Sequence, residues 1–196
     1  MVRDPAETKR KILHAATAEF TERGLAGTRM EAIAARAGVN KERVYSNYGT
    51  KEHLFAVVLG DELERIASAV PIDTIGADGV GEFAARCFDY HLDHPELVRL
   101  LHWEALERTE EIADEAIRTQ HYQRKVAAFR RAQAAGILDD GIDAADMVFM
   151  VLALSAWWAA VPQVAHMVGG PSSDSSARQR RRTSVANAAR KMCAAP

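Results

Sequence analysis

The chain holds two cysteines, Cys87 and Cys193, in 196 residues. Two are too few for a disulfide framework, and their separation lacks the paired spacing of a zinc site, so a reducing cytoplasm is the expected setting. No apolar run is long enough to span a bilayer. The charged stretch from Met1 to Lys11 lacks the hydrophobic segment and small-residue cleavage site of an export signal. Strand-type alternation and internal repeats are absent. Missing too are the G-x-x-x-x-G-K phosphate loop, the G-x-G-x-x-G turn, the H-E-x-x-H helix and the G-x-S-x-G elbow, and the carboxylates are scattered. An enzyme is therefore not expected, a small helical one being the weaker alternative. Charge of one sign does not dominate either: the net charge is −2, unlike that of an architectural DNA binder that is basic throughout.

What charge there is, however, is unevenly placed. Residues 1 to 51 carry ten bases against six acids, or +4, and the remainder carries 15 against 21, or −6. A basic head on an acidic body points to an anionic partner at one end.

Apolar residues recur at three and four along almost every segment, so the expected class is all-α. Asp4, Pro5 and Glu7 open a first helix whose stripe is Ile12, Leu13, Ala16 and Phe20 and which ends near Gly24. Thr28 with Glu31 three residues on reads as a capping box for a short second helix stopped by Gly38. Asn40 caps a third helix carrying Val44 and Tyr45, and Thr50 a fourth that runs through Leu54, Phe55, Val58 and Leu63 before Pro71. Further helices are expected at about 82–93, 95–106, 110–135, 143–167 and 177–193, with a loop over the Gly-Gly-Pro-Ser-Ser stretch within 169–176.

Two short helices joined by a tight glycine turn form a helix-turn-helix, whose second helix presents side chains to base edges in the major groove. Here the unit is 29–47. Ala34 and Ala37 allow close approach, Gly38 permits the turn, and Val39 and Val44 plug the core, leaving the polar residues outward.

The positions Ile12-Leu13, Ala16, Phe20, Gly24, Ile33-Ala34, Gly38-Val39, Tyr45, Tyr48 and Lys51-Glu52 with Leu54 resemble, without gaps, the TetR family of bacterial regulators. The resemblance covers about a quarter of the chain. It implies a helix-turn-helix domain over 1–53 and a helical effector-binding and dimerisation domain over 54–196. It also implies a DNA-contact set of Thr28, Arg29, Asn40, Lys41, Arg43, Tyr45, Asn47, Tyr48 and Lys51. Thr28, Arg29, Tyr48 and Lys51 would meet phosphates, the last beside a helix N-terminus that favours anions. Lys41 and Arg43 would address bases, flanked by Tyr45 and Asn47. Glu42 departs from the small residue usual in the family and is left out of the set.

A single helix-turn-helix touches few bases, so specific binding calls for a two-fold partner placed about 34–36 Å away. In the family the last two helices build that homodimer. Met147, Met150, Val151, Leu154, Trp157, Trp158 and Val161 form a suitable stripe, of which Met150, Leu154, Trp157, Trp158 and Val161 are the candidate interface. The two Trp side chains diverge by about 100°, so one can fill the core while the other meets the partner. The resemblance further implies a pocket for a small hydrophobic or amphipathic effector, with Cys87, Phe88, Tyr90, His91, Trp103, Leu106, Tyr122 and Phe129 as candidate lining. The expected function is a sequence-specific repressor released from a palindromic operator by that effector, with a non-inducible regulator or an activator as alternatives.

No cofactor and no metal are expected. His91, His94 and His102 lie near acids but show no converging ligand set, so surface histidines are the default. Asp139 to Asp143 lacks the alternation of a calcium loop and reads as a turn followed by an N-cap. Cys87 reads as a buried thiol, and Arg178, Arg180, Arg181 and Arg182 as a solvated basic run.

Overall fold

The computed structural model describes residues 4–72, 75–76, 79–107, 115–170 and 175–195. Ten helices occupy them: α1 (Pro5–Gly27), α2 (Met30–Ala37), α3 (Lys41–Tyr48), α4 (Lys51–Ala69), α5 (Gly79–Asp93), α6 (Pro95–Glu107), α7 (Glu115–Ala134), α8 (Ala144–Ala160), α9 (Pro162–Gly169) and α10 (Ser175–Cys193). The described residues hold no strand, only an isolated bridge between Leu138 and Ala194. No single described helix is long and apolar enough to cross a membrane.

The chain divides into two compact units: Met1–Glu64 with Glu96–Glu115, and Arg65–Pro95 with Ala116–Pro196. The first contains α1 to α3, most of α4, and α6. Its helix starts follow local chemistry. Asp4 accepts from the Ala6 amide at 3.0 Å with Pro5 at the first helical position, and Thr50 accepts from the His53 amide at 3.1 Å. Ile12, Ala16, Phe20, Ile33, Val44, Leu54 and Phe55 are sealed from solvent, and the Phe20 and Phe55 rings meet edge to face with centroids 5.2 Å apart. Each of these side chains other than Ala16 contributes ~1.5–3 kcal/mol by burial. Leu13, expected in the same stripe, is only half-buried, and Ala15 takes the inner position.

The end of α1 departs from expectation. Gly24 breaks the helical dihedrals with φ +69°, as its sequence position suggests, but helical geometry resumes through Gly27. A Cβ at Gly24 would lie 2.7 Å from the Trp103 ring, so this glycine supplies both a backbone conformation closed to other residues and the room for α6. The Trp103 indole donates to the Thr21 carbonyl at 3.3 Å, and Glu107 accepts from the Ala26 amide at 2.9 Å. Thr28 does not cap α2. It is buried, and its hydroxyl turns back to the Gly24 carbonyl at 2.6 Å and the Glu19 carbonyl at 3.1 Å, leaving Arg29 at the N-cap without a side-chain bond.

In the second unit, Val80, Phe83, Phe88, Phe129, Met147, Val151, Val185 and Ala189 belong to one buried cluster. Asp143 caps α8 through the Ala145 amide at 2.8 Å, and Asp139 accepts from the Gly141 amide at 3.1 Å, giving the expected turn and cap. The single helix expected over 143–167 is instead two. Pro162 has no amide to donate, so α8 stops at Val161 and α9 leaves it at 85°. The helix start expected at 110 and the middle of the loop expected over 169–176 lie outside the described residues, and the ends of that loop are helical, Gly169 closing α9 and Ser175 and Ser176 opening α10.

Gly24→Ala is expected to destabilise the protein by about 2 kcal/mol or more, since backbone strain and overpacking against Trp103 add. Urea denaturation checks it, and a loss below about 0.5 kcal/mol would show that α6 does not depend on that close approach.

Candidate nucleic-acid interface

The turn between α2 and α3 closes the last carbonyls of α2. Gly38, at φ +66°, donates to the Ala35 carbonyl at 3.2 Å, and Val39 donates to the Ala34 carbonyl at 3.0 Å, the two crossing bonds of a left-handed helix stop. Asn40 then caps α3, its side-chain oxygen accepting from the Arg43 amide at 3.0 Å. These bonds fix the direction in which α3 leaves. Val44 and Tyr48, one turn apart, are buried, whereas Lys41, Glu42, Arg43, Tyr45 and Ser46 are exposed. A helix with so narrow an apolar stripe lies on the unit and presents its remaining surface to solvent.

The expected contact residues fall into three groups. Arg29, Asn40, Lys41, Arg43 and Tyr45 are exposed, with Tyr45 at 43%. Asn47 and Lys51 are half-buried and partly engaged: the Asn47 amide donates to the Arg43 carbonyl at 2.7 Å, and the Lys51 ammonium to the Thr28 carbonyl at 3.1 Å. Thr28 and Tyr48 are turned inward, contrary to a phosphate role for their side chains. Thr28 closes the end of α1, and the Tyr48 hydroxyl donates to the Lys9 carbonyl at 3.2 Å. Burial, with the Asp61 charge adding to it, raises the Tyr48 phenol above its ordinary value.

Charge around the two helices is organised by ion pairs. Lys41 donates to Glu31 of α2, and its ammonium sits 5.5 Å from the centre of the Tyr45 ring. Behind them Arg36 of α2 binds Glu19 at 3.0 Å and Glu22 at 3.0 Å, both on α1. Glu19 is buried, so loss of Arg36 would leave its carboxylate with only Arg23, at 3.6 Å, to offset the charge.

A family model described as bacterial regulatory proteins, tetR family, matches residues 12–58, and one described as tetracyclin repressor-like, C-terminal domain, matches 79–191. The chain is 45% identical over 170 residues to the HTH-type transcriptional repressor SCO4008 of Streptomyces coelicolor, covering 86% of this chain and 87% of that one. The chain belongs to the TetR family. It is a DNA-binding transcriptional regulator with an all-α fold. Among solved structures, SCO4942 of Streptomyces coelicolor, described as a transcriptional regulator, superposes with a TM-score of 0.82 at 29% identity, covering 96% of this chain and 99% of that one. AibR, solved with isovaleryl coenzyme A and operator DNA, shares the fold with a TM-score of 0.73 at 18% identity, covering 92% and 97%.

The TetR-type C-terminal residues are distributed as follows. Of the eight candidate pocket residues, Trp103 and Leu106 belong to the first unit, where Trp103 props α1 and Leu106 is 75% exposed. The other six lie in the second. Cys87, Phe88 and Phe129 are in its buried cluster, Tyr90 packs against that cluster, and Tyr122 is exposed. His91 is buried, not at the surface, with Nδ1 lacking a partner; burial lowers its pKa to about 4. Burial likewise pushes the Cys87 thiol up to about 12, which keeps it protonated.

Lys125, absent from the expected set, is half-buried 5.6 Å from the centre of the Tyr122 ring, and burial lowers its pKa. Its spacing, three after Tyr122 and four before Phe129, is the signal that marks it. Among the described residues no group of three His, Cys, Asp or Glu side chains could hold a metal ion.

Of the two Trp residues, Trp158 packs edge to face on Phe88 at 6.2 Å, and Trp157 is 59% exposed. Met150, Leu154 and Val161 are half-buried. Phe149, 73% exposed, lies with Ala153 and Trp157 along one outward row that core-type spacing does not reveal. The basic run on α10 is not simply solvated. Arg178 binds Asp93 at 2.7 Å and Asp89 at 3.3 Å, Arg182 binds Asp89 at 2.6 Å and Glu82 at 2.9 Å, and Arg181 donates to the Gly170 carbonyl at 2.8 Å.

His91 ties stability to pH. The unfolded ring takes a proton near pH 6.5 and the folded one only near 4, so stability is full above about pH 6.5 and falls as pH drops through that window. The loss attributable to this ring is expected to reach ~2 kcal/mol by pH 5. Urea titrations of wild type and His91→Leu at pH 7 and pH 5 should show the gap between the two pH values shrinking in the variant. An unchanged gap would place the acid sensitivity elsewhere.

Proposed function

We propose that the protein is a homodimeric cytoplasmic repressor that reads a two-fold symmetric operator with α3 and lets go when a small molecule binds its C-terminal part. The observation that carries this reading is the outward display of Lys41, Arg43 and Tyr45 over the buried Val44 and Tyr48. Repression is supported by the relative SCO4008, which bears that designation, and regulation by a ligand by AibR, of the same fold.

The head is residues 1–53, with 54–196 for ligand binding and dimerisation. Arg43 addresses a guanine edge, where O6 and N7 offer two acceptors in the fork geometry of a guanidinium, with Lys41, Tyr45 and Asn47 beside it. Arg29, Asn40 and Lys51 serve phosphates, Lys51 with the two N–H groups left after its bond to Thr28. Dimerisation uses α8 and α10. The large Phe149 and Trp157 on α8 fit against the exposed small and polar row of α10, which includes Thr183, Ser184 and Ala188. The effector rests on Phe88 and Phe129 and meets His91 and Lys125 as polar groups, His91 with a buried Nδ1 that has no hydrogen-bonding partner and Lys125 with an ammonium that burial disfavours. No catalytic role is proposed for any residue.

Selection of bound DNA from a random pool tests the operator. A two-fold symmetric consensus is expected, with Arg43→Ala relaxing one base pair per half-site at a cost of ~1–3 kcal/mol, and Lys51→Ala weakening all sequences alike. A consensus without symmetry, or one unaltered by Arg43→Ala, overturns this assignment. For assembly, light scattering at micromolar protein should give the mass of two chains, falling to one in Phe149→Glu/Trp157→Glu. Two chains in that variant would move the interface off this face.

A further inference from the structure

We infer that Glu31 determines specificity by holding the Lys41 ammonium away from phosphates, so that α3 grips arbitrary DNA less firmly than its charge would otherwise allow. This rests on the DNA-reading function proposed above. Glu31 lies in the first turn of α2, outside the expected contact set, and Lys41 opens α3 across the turn. The carboxylate accepts from the ammonium, and the same ammonium lies over the Tyr45 ring. Lys41 is thereby tied to the protein by two contacts, on a surface where Arg43 is exposed.

The consequence is unequal for two kinds of DNA. A phosphate that captures Lys41 has to displace Glu31 or sit beside its negative charge, a cost met at every register along a random duplex. An ammonium has three N–H groups. With one on Glu31, the others can still reach a base edge presented in register, so an operator can use Lys41 without breaking the pair. Cost laid selectively on the wrong site is a route to discrimination that needs no added contact with the right one. The directions of titration agree: the hydrogen bond with Lys41 holds the Glu31 carboxyl below its ordinary value, and the hydrogen bond with Glu31 holds the Lys41 ammonium above its own.

The test is a double-mutant cycle on the full-length protein, with fluorescence anisotropy on a random-sequence duplex and on the selected operator across a salt series. Glu31→Gln is expected to tighten random-duplex binding severalfold and to steepen its log–log salt slope by ~0.9 for each phosphate that a freed Lys41 engages. Operator affinity should rise less, so the operator-to-random ratio falls. In a Lys41→Met background Glu31→Gln should change neither quantity. Both side chains are exposed, and matching thermal melts will show that the fold is retained. An equal gain in the Lys41→Met background would reduce Glu31 to plain charge repulsion and overturn the inference, as would an unchanged random-duplex affinity in Glu31→Gln. A wild type that prefers no sequence would instead remove the DNA-reading function itself.

Discussion

The reading of DNA depends on one geometric constraint, that α3 be anchored by two side chains only. Val44 and Tyr48 are a single turn apart and are the two buried positions of an eight-residue helix, which leaves five of the others exposed and Asn47 half-buried. The anchoring is stiff because both ends are closed. Gly38 ends α2 in the left-handed conformation with its amide bonded, Asn40 opens α3 with a cap, and the Tyr48 hydroxyl is fastened to the Lys9 carbonyl on α1. A probe helix held this way can meet the major groove without first being ordered, so little binding free energy is lost to conformational entropy.

The rear of the head is held by polar contacts that are unusually short of solvent. Thr28, Glu19 and Lys51 all converge on the end of α1: the threonine hydroxyl binds carbonyls of α1, the lysine binds the threonine's own carbonyl, and the buried carboxylate binds Arg36 on α2. On the other side, α6 inserts Trp103 at Gly24 and lends Glu107 to the Ala26 amide. Although α6 is distant in sequence from the residues proposed as the head, it belongs to the same compact unit as α1 to α3.

What the sequence discloses and what it hides divide along a physical line. Caps at Asp4, Asn40, Thr50 and Asp143 are legible because a side-chain oxygen and an amide two or three residues on suffice to make them. Thr28 followed by Glu31 carries the same local signature, yet tertiary contact with α1 wins the hydroxyl. Tyr48 reads as a polar outward ring, but its position one turn after Val44 decides its burial. Pro162 is a visible helix breaker whose effect is masked by the apolar pattern running through it. Candidate pocket lining is the least legible, since aromatic residues at core spacing look alike whether they meet a ligand, as proposed for Phe88, or brace a helix, as Trp103 does. Lys125 is the informative exception: a cation within an aromatic stripe stands out in the sequence, and it is half-buried beside the Tyr122 ring.

The guanidinium ladder of α10 has a mechanical meaning. Arg178 and Arg182, one turn apart, engage Asp93, Asp89 and Glu82, which are spread over almost the whole length of α5. Asp89 is shared by both arginines, so sliding one helix along the other by a turn would strip two contacts at once and leave charges unmatched. Shear between α5 and α10 is thus opposed while rotation of the pair as a plank is not.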